Sequence, residues 1–164
     1  MGTALTERFD RITLFAAVNI AVAATVMGIK YLAYLYSGSV AIYSDALESI
    51  VNVVTAIAAL VAVHISSKPA DKNHPFGHHK AEFFAAIFEG AMIIVAALAI
   101  LIKAYSAIRS GVTLTDPGYG IAINAAAAAI NAFWAYMLIN RGNTWRSAAL
   151  TADGWHLFTD VITS

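Results

Sequence analysis

The sequence contains no cysteine, only three prolines and few charged residues, since Asp, Glu, Lys and Arg make up 12% of its 164 positions and the formal net charge is zero. Without cysteine, these residues cannot form disulfides, thiolate metal sites or cysteine nucleophiles. Any metal ion that they bind must be held by nitrogen and oxygen atoms. Nothing in the sequence suggests nucleic-acid binding. No Walker motif is present, so transport driven directly by ATP is not expected of this chain.

Apolar residues are abundant, at 60% of the chain, which is far from the balance of a soluble domain. About 20 apolar residues are needed for one helix to cross a hydrocarbon layer about 30 Å thick. Five runs approach that length, at approximately residues 12–36, 40–63, 83–102, 119–139 and 145–164. The sequence therefore predicts an all-α, multi-pass integral membrane protein, built as a multi-helix transmembrane bundle with five spans.

Positive charge is concentrated in alternate connections between these runs. One side collects Arg8, Arg11, Lys68, Lys72, Lys80, Arg141 and Arg146. Because cytoplasmic loops retain Lys and Arg, this side and the N-terminus are predicted to be cytoplasmic. The opposite side has the uncharged turn at residues 37–39 and the loop at residues 109–118, and we expect Lys30 and Lys103 to extend to that interface.

Two of the predicted spans contain matched trios of polar residues. The second span carries Asp45, Glu48 and Asn52, and the fifth carries Asp153, His156 and Asp160. In both, an acidic residue is followed three and seven positions later by residues of metal-ligand type. Side chains at these intervals lie along one face of a helix, so each helix is predicted to present one polar stripe.

The two stripes are predicted to overlap in depth. With a rise of about 1.5 Å per residue, Glu48 and Asn52 lie about 12 and 18 Å below the outer boundary, and His156 and Asp160 lie about 14 and 8 Å below it. Two carboxylates, one imidazole and one amide oxygen form a four-coordinate set suited to Zn²⁺, Fe²⁺ or Co²⁺. The alternative is an ion-pair and hydrogen-bond network that only holds the bundle together.

Other polar residues inside the spans have different expected roles. Asp45 and Asp153 are predicted to be outer-shell or pathway residues, one turn from the ligands. Glu89 in the third span could line the path or have a structural role. The remaining polar residues are expected to form hydrogen bonds between helices or to lie at the membrane interface, and not to bind a metal; they are Asn19, Asn124, Asn131 and His64.

A second candidate metal site lies in the predicted cytoplasmic loop between the second and third spans. Asp71, His74 and His78 are spaced three and four residues apart, and a tight turn could bring one carboxylate and two imidazoles together. The alternative is a solvated polar loop that binds no metal.

These two regions resemble the cation diffusion facilitator family. Residues 71–82, with the sequence DKNHPFGHHKAE, are similar to the family's loop signature, and His156 and Asp160 look like its HxxxD motif. The resemblance covers essentially the whole chain. It implies an intramembrane transport site at Glu48, Asn52, His156 and Asp160, and a loop site at Asp71, His74 and His78.

What the resemblance implies for function is secondary active efflux of a divalent metal from the cytoplasm, driven by proton entry, by a homodimer in a bacterial inner membrane. The metal (Zn²⁺, Fe²⁺, Co²⁺, Mn²⁺ or Cd²⁺) is the substrate, and no prosthetic group is expected. The resemblance further implies six transmembrane helices and a cytoplasmic C-terminal domain, so we expect the chain to stop within the fifth helix. Family members commonly have Asp or His followed by Asp in the second span, whereas this chain has Glu48 and Asn52.

Two other functions remain as alternatives. An intramembrane metalloenzyme is disfavoured because there is no HExxH motif, and four protein ligands would leave no open position for an activated water. A metal-binding membrane scaffold would bind the ion without transporting it. The prediction is therefore that the protein is a transporter and not an enzyme.

Overall fold

The computed structural model describes the backbone of residues 2–110 and 117–164, and the side chains of residues 11–109 and 118–164. The regular structure in these residues is entirely helical. It consists of α1 (Gly2–Ser37), α2 (Val40–Ser66), α3 (Ala81–Ser110), α4 (Pro117–Trp145) and α5 (Ala148–Thr163). The predicted all-α fold is confirmed. The side chain of Arg8 and residues 111–116 of the predicted outer loop lie outside the described residues.

Within the described residues, four helices are long and apolar enough to cross a membrane. These segments are Arg11–Ser37, Val40–Ser66, Ala81–Arg109 and Gly118–Trp145. Helix α5 has 16 residues, which corresponds to a length of about 24 Å against a hydrocarbon layer of about 30 Å. A fifth full span therefore stays a prediction.

The turn between α4 and α5 differs from the predicted boundary at residue 145. Trp145 is the last residue of α4. Arg146 then adopts a positive φ of 52°, and the Ser147 amide donates to the Gly142 carbonyl at 2.9 Å. A left-handed residue followed by such a bond is a common way to end a helix. The new helix starts at Ala148, where the Ser147 side chain accepts a hydrogen bond from the Leu150 amide.

Helix α5 lies among three other helices, which determines where its polar stripe faces. It packs against α4 and also contacts α2 and α3, while α1 packs against α2 and α4. Gly154 permits the close approach to α4, because a Cβ atom there would lie 2.8 Å from the Ile139 side chain and 2.9 Å from the Leu138 Cβ. The side of α5 opposite this contact is thereby available to α2 and α3.

A compact apolar cluster holds α1, α2, α4 and α5 together near the end of the bundle that carries the 67–80 loop. Its buried members are Ile12, Ala16, Val63, Ala135, Leu138, Leu150 and Leu157. Phe15 packs on this cluster and stacks against Trp134, with ring centroids 5.1 Å apart. Because Leu157 lies between His156 and Asp160 along α5, this cluster extends to the level of the polar stripe on that helix.

A buried hydrogen bond connects α3 to the start of α5. The Ser147 hydroxyl donates to a Glu82 carboxylate oxygen, and both residues are buried. Ser147 is also the N-cap of α5, so Glu82 holds the cap in place. Since Glu82 lies in the first turn of α3, this bond fixes the two helix starts relative to one another.

Replacing Glu82 by Ala should destabilise the protein by about 1–3 kcal/mol, because the buried Ser147 hydroxyl loses its acceptor. Thermal unfolding of the full-length protein in detergent would measure this effect. Glu82→Gln is the matched control, because its amide oxygen can still accept the bond. Equal melting temperatures for the two variants would contradict the proposed role of the hydrogen bond.

Candidate functional site

The polar stripes of α2 and α5 meet inside the bundle. Asn52 on α2 donates from Nδ2 to Asp160 Oδ2 on α5 at 2.7 Å. On the other side of the same carboxylate, His156 Nδ1 lies 3.5 Å from Asp160 Oδ1. Asn52 and Asp160 are both buried. Three of the four residues are therefore in direct contact, and the two helices meet through Asn52 and Asp160, which the predicted depths had placed about 10 Å apart.

Several polar atoms at this position have no hydrogen-bond partner within the described part of the chain. They are Glu48 Oε2, Asn52 Oδ1 and His156 Nε2, and all three are buried. Buried polar atoms normally have partners, so an unpaired set of this kind needs an explanation. A carboxylate oxygen, an amide oxygen and an imidazole nitrogen are suitable ligands for a divalent transition metal.

Glu48 is the least closely associated of the four. It interacts electrostatically with Asp160. However, its potential ligand atoms do not form a group with those of His156 and Asp160 in which all lie within 4.8 Å of one another. Among the described residues, the candidate loop site alone meets that spacing. Zinc–ligand bonds to nitrogen and oxygen are about 2.0–2.2 Å long. Coordination by all four residues thus requires Glu48 to move closer to α5.

Asp45 lies one turn from Glu48 and is paired with other helices. Its Oδ2 accepts a hydrogen bond from Asn124 Nδ2 on α4 at 2.7 Å, and it lies 3.9 Å from Lys30 Nζ on α1. The expectation that Lys30 extends to the membrane interface is wrong, because its side chain is 0% exposed. The ion pair with Asp45 holds the ammonium inside the bundle.

Lys30 is thus the functional candidate that sequence analysis missed, and its position contained a usable signal. Lys30 precedes the end of α1 at Ser37 by seven residues, and Asp45 follows the start of α2 at Val40 by five. With a rise of about 1.5 Å per residue, both lie roughly 8–10 Å from the turn. Opposite charges at similar distances from a helical hairpin turn indicate a pair.

Asp153 belongs to a separate hydrogen-bonded network. Asn19 Nδ2 on α1 donates to Asp153 Oδ2, and Trp134 Nε1 on α4 donates to Asn19 Oδ1 at 2.6 Å. Asn19 and Asn124 therefore form bonds between helices, as predicted. A cavity of about 10 Å³ lies between this network and Asn52.

Glu89 on α3 faces the polar stripe of α5. It is buried and interacts electrostatically with Asp153 and Asp160. Its Oε1 has no hydrogen-bond partner in the described residues. The contact between α3 and α5 thus adds a third acidic side chain next to the two on α5.

The loop residues Asp71, His74 and His78 come together as one compact group, with potential ligand atoms within 4.8 Å of one another. His74 Nδ1 lies 3.0 Å and His78 Nε2 lies 3.5 Å from carboxylate oxygens of Asp71. The His74 backbone amide, which hydrogen-bonds to the Asp71 carboxylate, is the main cause that lowers the Asp71 pKa. The carboxylate therefore stays ionised and able to bind a cation below the usual pH range of an aspartate.

Comparison with known proteins now identifies the family. Residues 16–164 match the cation efflux transmembrane domain. The chain belongs to the cation efflux family. It is 46% identical over 150 residues to the uncharacterized transporter sll1263 of Synechocystis sp., covering 92% of this chain and 48% of that protein.

Cation-efflux pumps named FieF are further relatives in this family. Identity is 33% over 147 residues with the pump of Serratia proteamaculans, covering 87% of this chain and 47% of the pump. It is 31% over 164 residues with the pump of Escherichia coli, covering 96% of this chain and 53% of the pump. The chain thus spans about half the length of these relatives. Family membership, the four membrane-length helices and the bacterial relatives confirm a multi-pass protein of the bacterial inner membrane.

Proposed function

We propose that the full-length protein exports a divalent transition-metal cation from the cytoplasm in exchange for protons. The observation that carries this proposal is the buried contact of Asn52 and His156 with Asp160, beside the unpaired atoms of Glu48, Asn52 and His156. Relatives of this chain are named as a transporter and as cation-efflux pumps, which supports the same function.

The metal substrate would bind to Glu48, Asn52, His156 and Asp160. Two ionised carboxylates balance the charge of a divalent cation, and the imidazole favours Zn²⁺, Fe²⁺ or Co²⁺ over harder ions. Because Asn52 supplies a neutral oxygen, the site has one negative charge fewer than a set with a third carboxylate. We infer that Asp45, Asp153 and Glu89 act around this site and do not bind the ion directly.

We further propose that transport proceeds by alternating access. The ligands come from α2 and α5, and the separation of Glu48 from His156 and Asp160 would close when the ion binds. Relative movement of helices around a site near the middle of the membrane is a common transporter mechanism. His156 would couple this cycle to protons, since an imidazole binds a metal in its neutral form and repels it when protonated.

A second cation would bind at Asp71, His74 and His78 in the cytoplasmic loop. The compact, partly exposed arrangement of these residues supports this assignment. Two imidazoles and one carboxylate fit a zinc-like ion with one further position for water.

The combined substitution Asp71→Ala and His74→Ala should remove one bound Zn²⁺ per protomer from the full-length protein, because one ligand alone remains in the loop. Equilibrium dialysis with metal quantification would measure the stoichiometry. His64→Ala, which removes another histidine from the same end of the bundle, should leave it unchanged. An unaltered stoichiometry in the double variant would exclude the loop site.

The function itself is tested with the full-length protein in lipid vesicles that contain a fluorescent chelator. We expect Zn²⁺ uptake that accelerates when a pH gradient is imposed, with opposite movement of protons. A metal-binding scaffold would bind Zn²⁺ in detergent and produce no flux. Homodimer formation, which the family resemblance implies, can be measured on the same sample by light scattering.

A further inference from the structure

Lys30 is a fully buried, positively charged residue, and hydrophobic packing does not explain why a charge is kept at this position. Its side chain is 0% exposed, with Nζ 3.9 Å from Asp45 Oδ2 and 3.3 Å from Ser164 Oγ. Lys30 also interacts electrostatically with Glu48 and Asp160. A charged side chain within a membrane span is energetically costly. An ammonium retained there indicates a role connected to the neighbouring carboxylates.

We propose that Lys30 is the resident cation of the metal transport site, which balances the carboxylates of Asp45, Glu48 and Asp160 in the metal-free state and opposes metal binding. This inference rests on the proposed function of that site. When ionised, the three carboxylates together with the ammonium carry two net negative charges. One divalent cation neutralises that charge, so the positive charge of Lys30 gives the site the net charge that matches a single divalent ion.

The geometry allows the Lys30 ammonium to move away when a metal ion enters the site. Lys30 has a flexible four-carbon stem, and its distance of 3.9 Å to Asp45 is longer than the about 2.7–2.9 Å of a close charge-assisted hydrogen bond. Asp45 lies one turn from Glu48, outside the proposed ligand set. Asp45 can therefore keep the ammonium as a partner while Glu48 turns to the metal.

A fixed positive charge next to the site should weaken metal binding and promote release. The ammonium and a metal cation repel each other, and this repulsion is stronger at shorter distance and in a medium of lower dielectric constant. Removing the positive charge should therefore tighten metal binding, whereas the loss of a purely structural contact would not. The direction of the change in affinity thus separates the proposed role from a structural one.

The test measures Zn²⁺ affinity by titration calorimetry, using the full-length protein with Asp71→Ala and His74→Ala so that the loop does not contribute. In this background, Lys30→Met and Lys30→Gln should each tighten Zn²⁺ binding about 10-fold, equivalent to about 1.4 kcal/mol. Lys30→Arg keeps the charge and should bind like its parent. Zn²⁺ efflux from vesicles should be slower with the two neutral variants because release is delayed.

Lys103→Gln is the matched control for the loss of one positive charge. Lys103 is on α3 and lies over the Tyr43 ring, 4.8 Å from its centroid. This variant should leave the affinity unchanged. Unchanged or weaker Zn²⁺ binding by whichever neutral Lys30 variant folds would overturn the inference. A parent protein that neither binds nor transports Zn²⁺ would instead refute the proposed function.

Discussion

Replacing Asp160 by Asn should abolish metal flux through the full-length protein, because Asp160 connects His156 and Asn52 within the proposed site. Its two oxygens contact His156 and Asn52 separately, and the substitution removes one of two charges that would balance the cation. Replacing a residue that only hydrogen-bonds to a metal ligand typically costs about 10- to 100-fold in metal affinity, and replacing a direct ligand should cost more. The measurements are the initial rate of Zn²⁺ uptake by vesicles and the affinity in detergent.

Thr159→Val is the matched control for this substitution. Thr159 is the neighbour of Asp160 on α5, but it is exposed and its hydroxyl bonds to the Trp155 carbonyl of the same helix. Flux through this variant should stay close to that of the wild type. Wild-type flux through Asp160→Asn would show that the ion crosses elsewhere.

Substituting His156 by Ala should remove the dependence of metal flux on the pH gradient and reduce metal affinity by about 100-fold or more. The imidazole is the one neutral nitrogen ligand in the proposed set, and its protonation is the step by which protons would displace the metal. Zn²⁺ uptake and internal pH should be recorded together in vesicles with and without an imposed gradient.

A histidine outside the membrane site provides the comparison. His79 lies next to the proposed loop ligand His78, and its Nδ1 is 3.5 Å from Ser66 Oγ. His79→Ala should retain proton-coupled flux. If His156→Ala retains it as well, another group carries the proton, and the assignment of His156 fails.

The helices and the matched trios were predictable because they follow from local pattern. A run of apolar residues indicates a membrane helix without reference to its neighbours, and intervals of three and four place Glu48 and Asn52 on one face. The contact of Asn52 with Asp160 did not follow from the predicted depths, because these placed the two residues about 10 Å apart and Glu48 nearest to the level of His156.

The turn between α4 and α5 could not be found in this way. Hydropathy does not mark whether a polar residue continues a helix or ends it, and Arg146 is not a residue type that usually adopts a positive φ. The turn depends on a bond from Ser147 to Gly142 and on the acceptor that Glu82 provides from α3. The second partner is 65 positions away in the chain.

The sequence by itself determined that the chain is an all-α membrane protein with two polar stripes and a histidine-containing loop, because composition and periodicity act over one helix at a time. Only the tertiary structure decided that Glu48 stands apart from His156 and Asp160, and that Lys30 points into the bundle and not to the interface. These distances depend on how helices rotate and pack against one another, which is set by contacts among several helices at once.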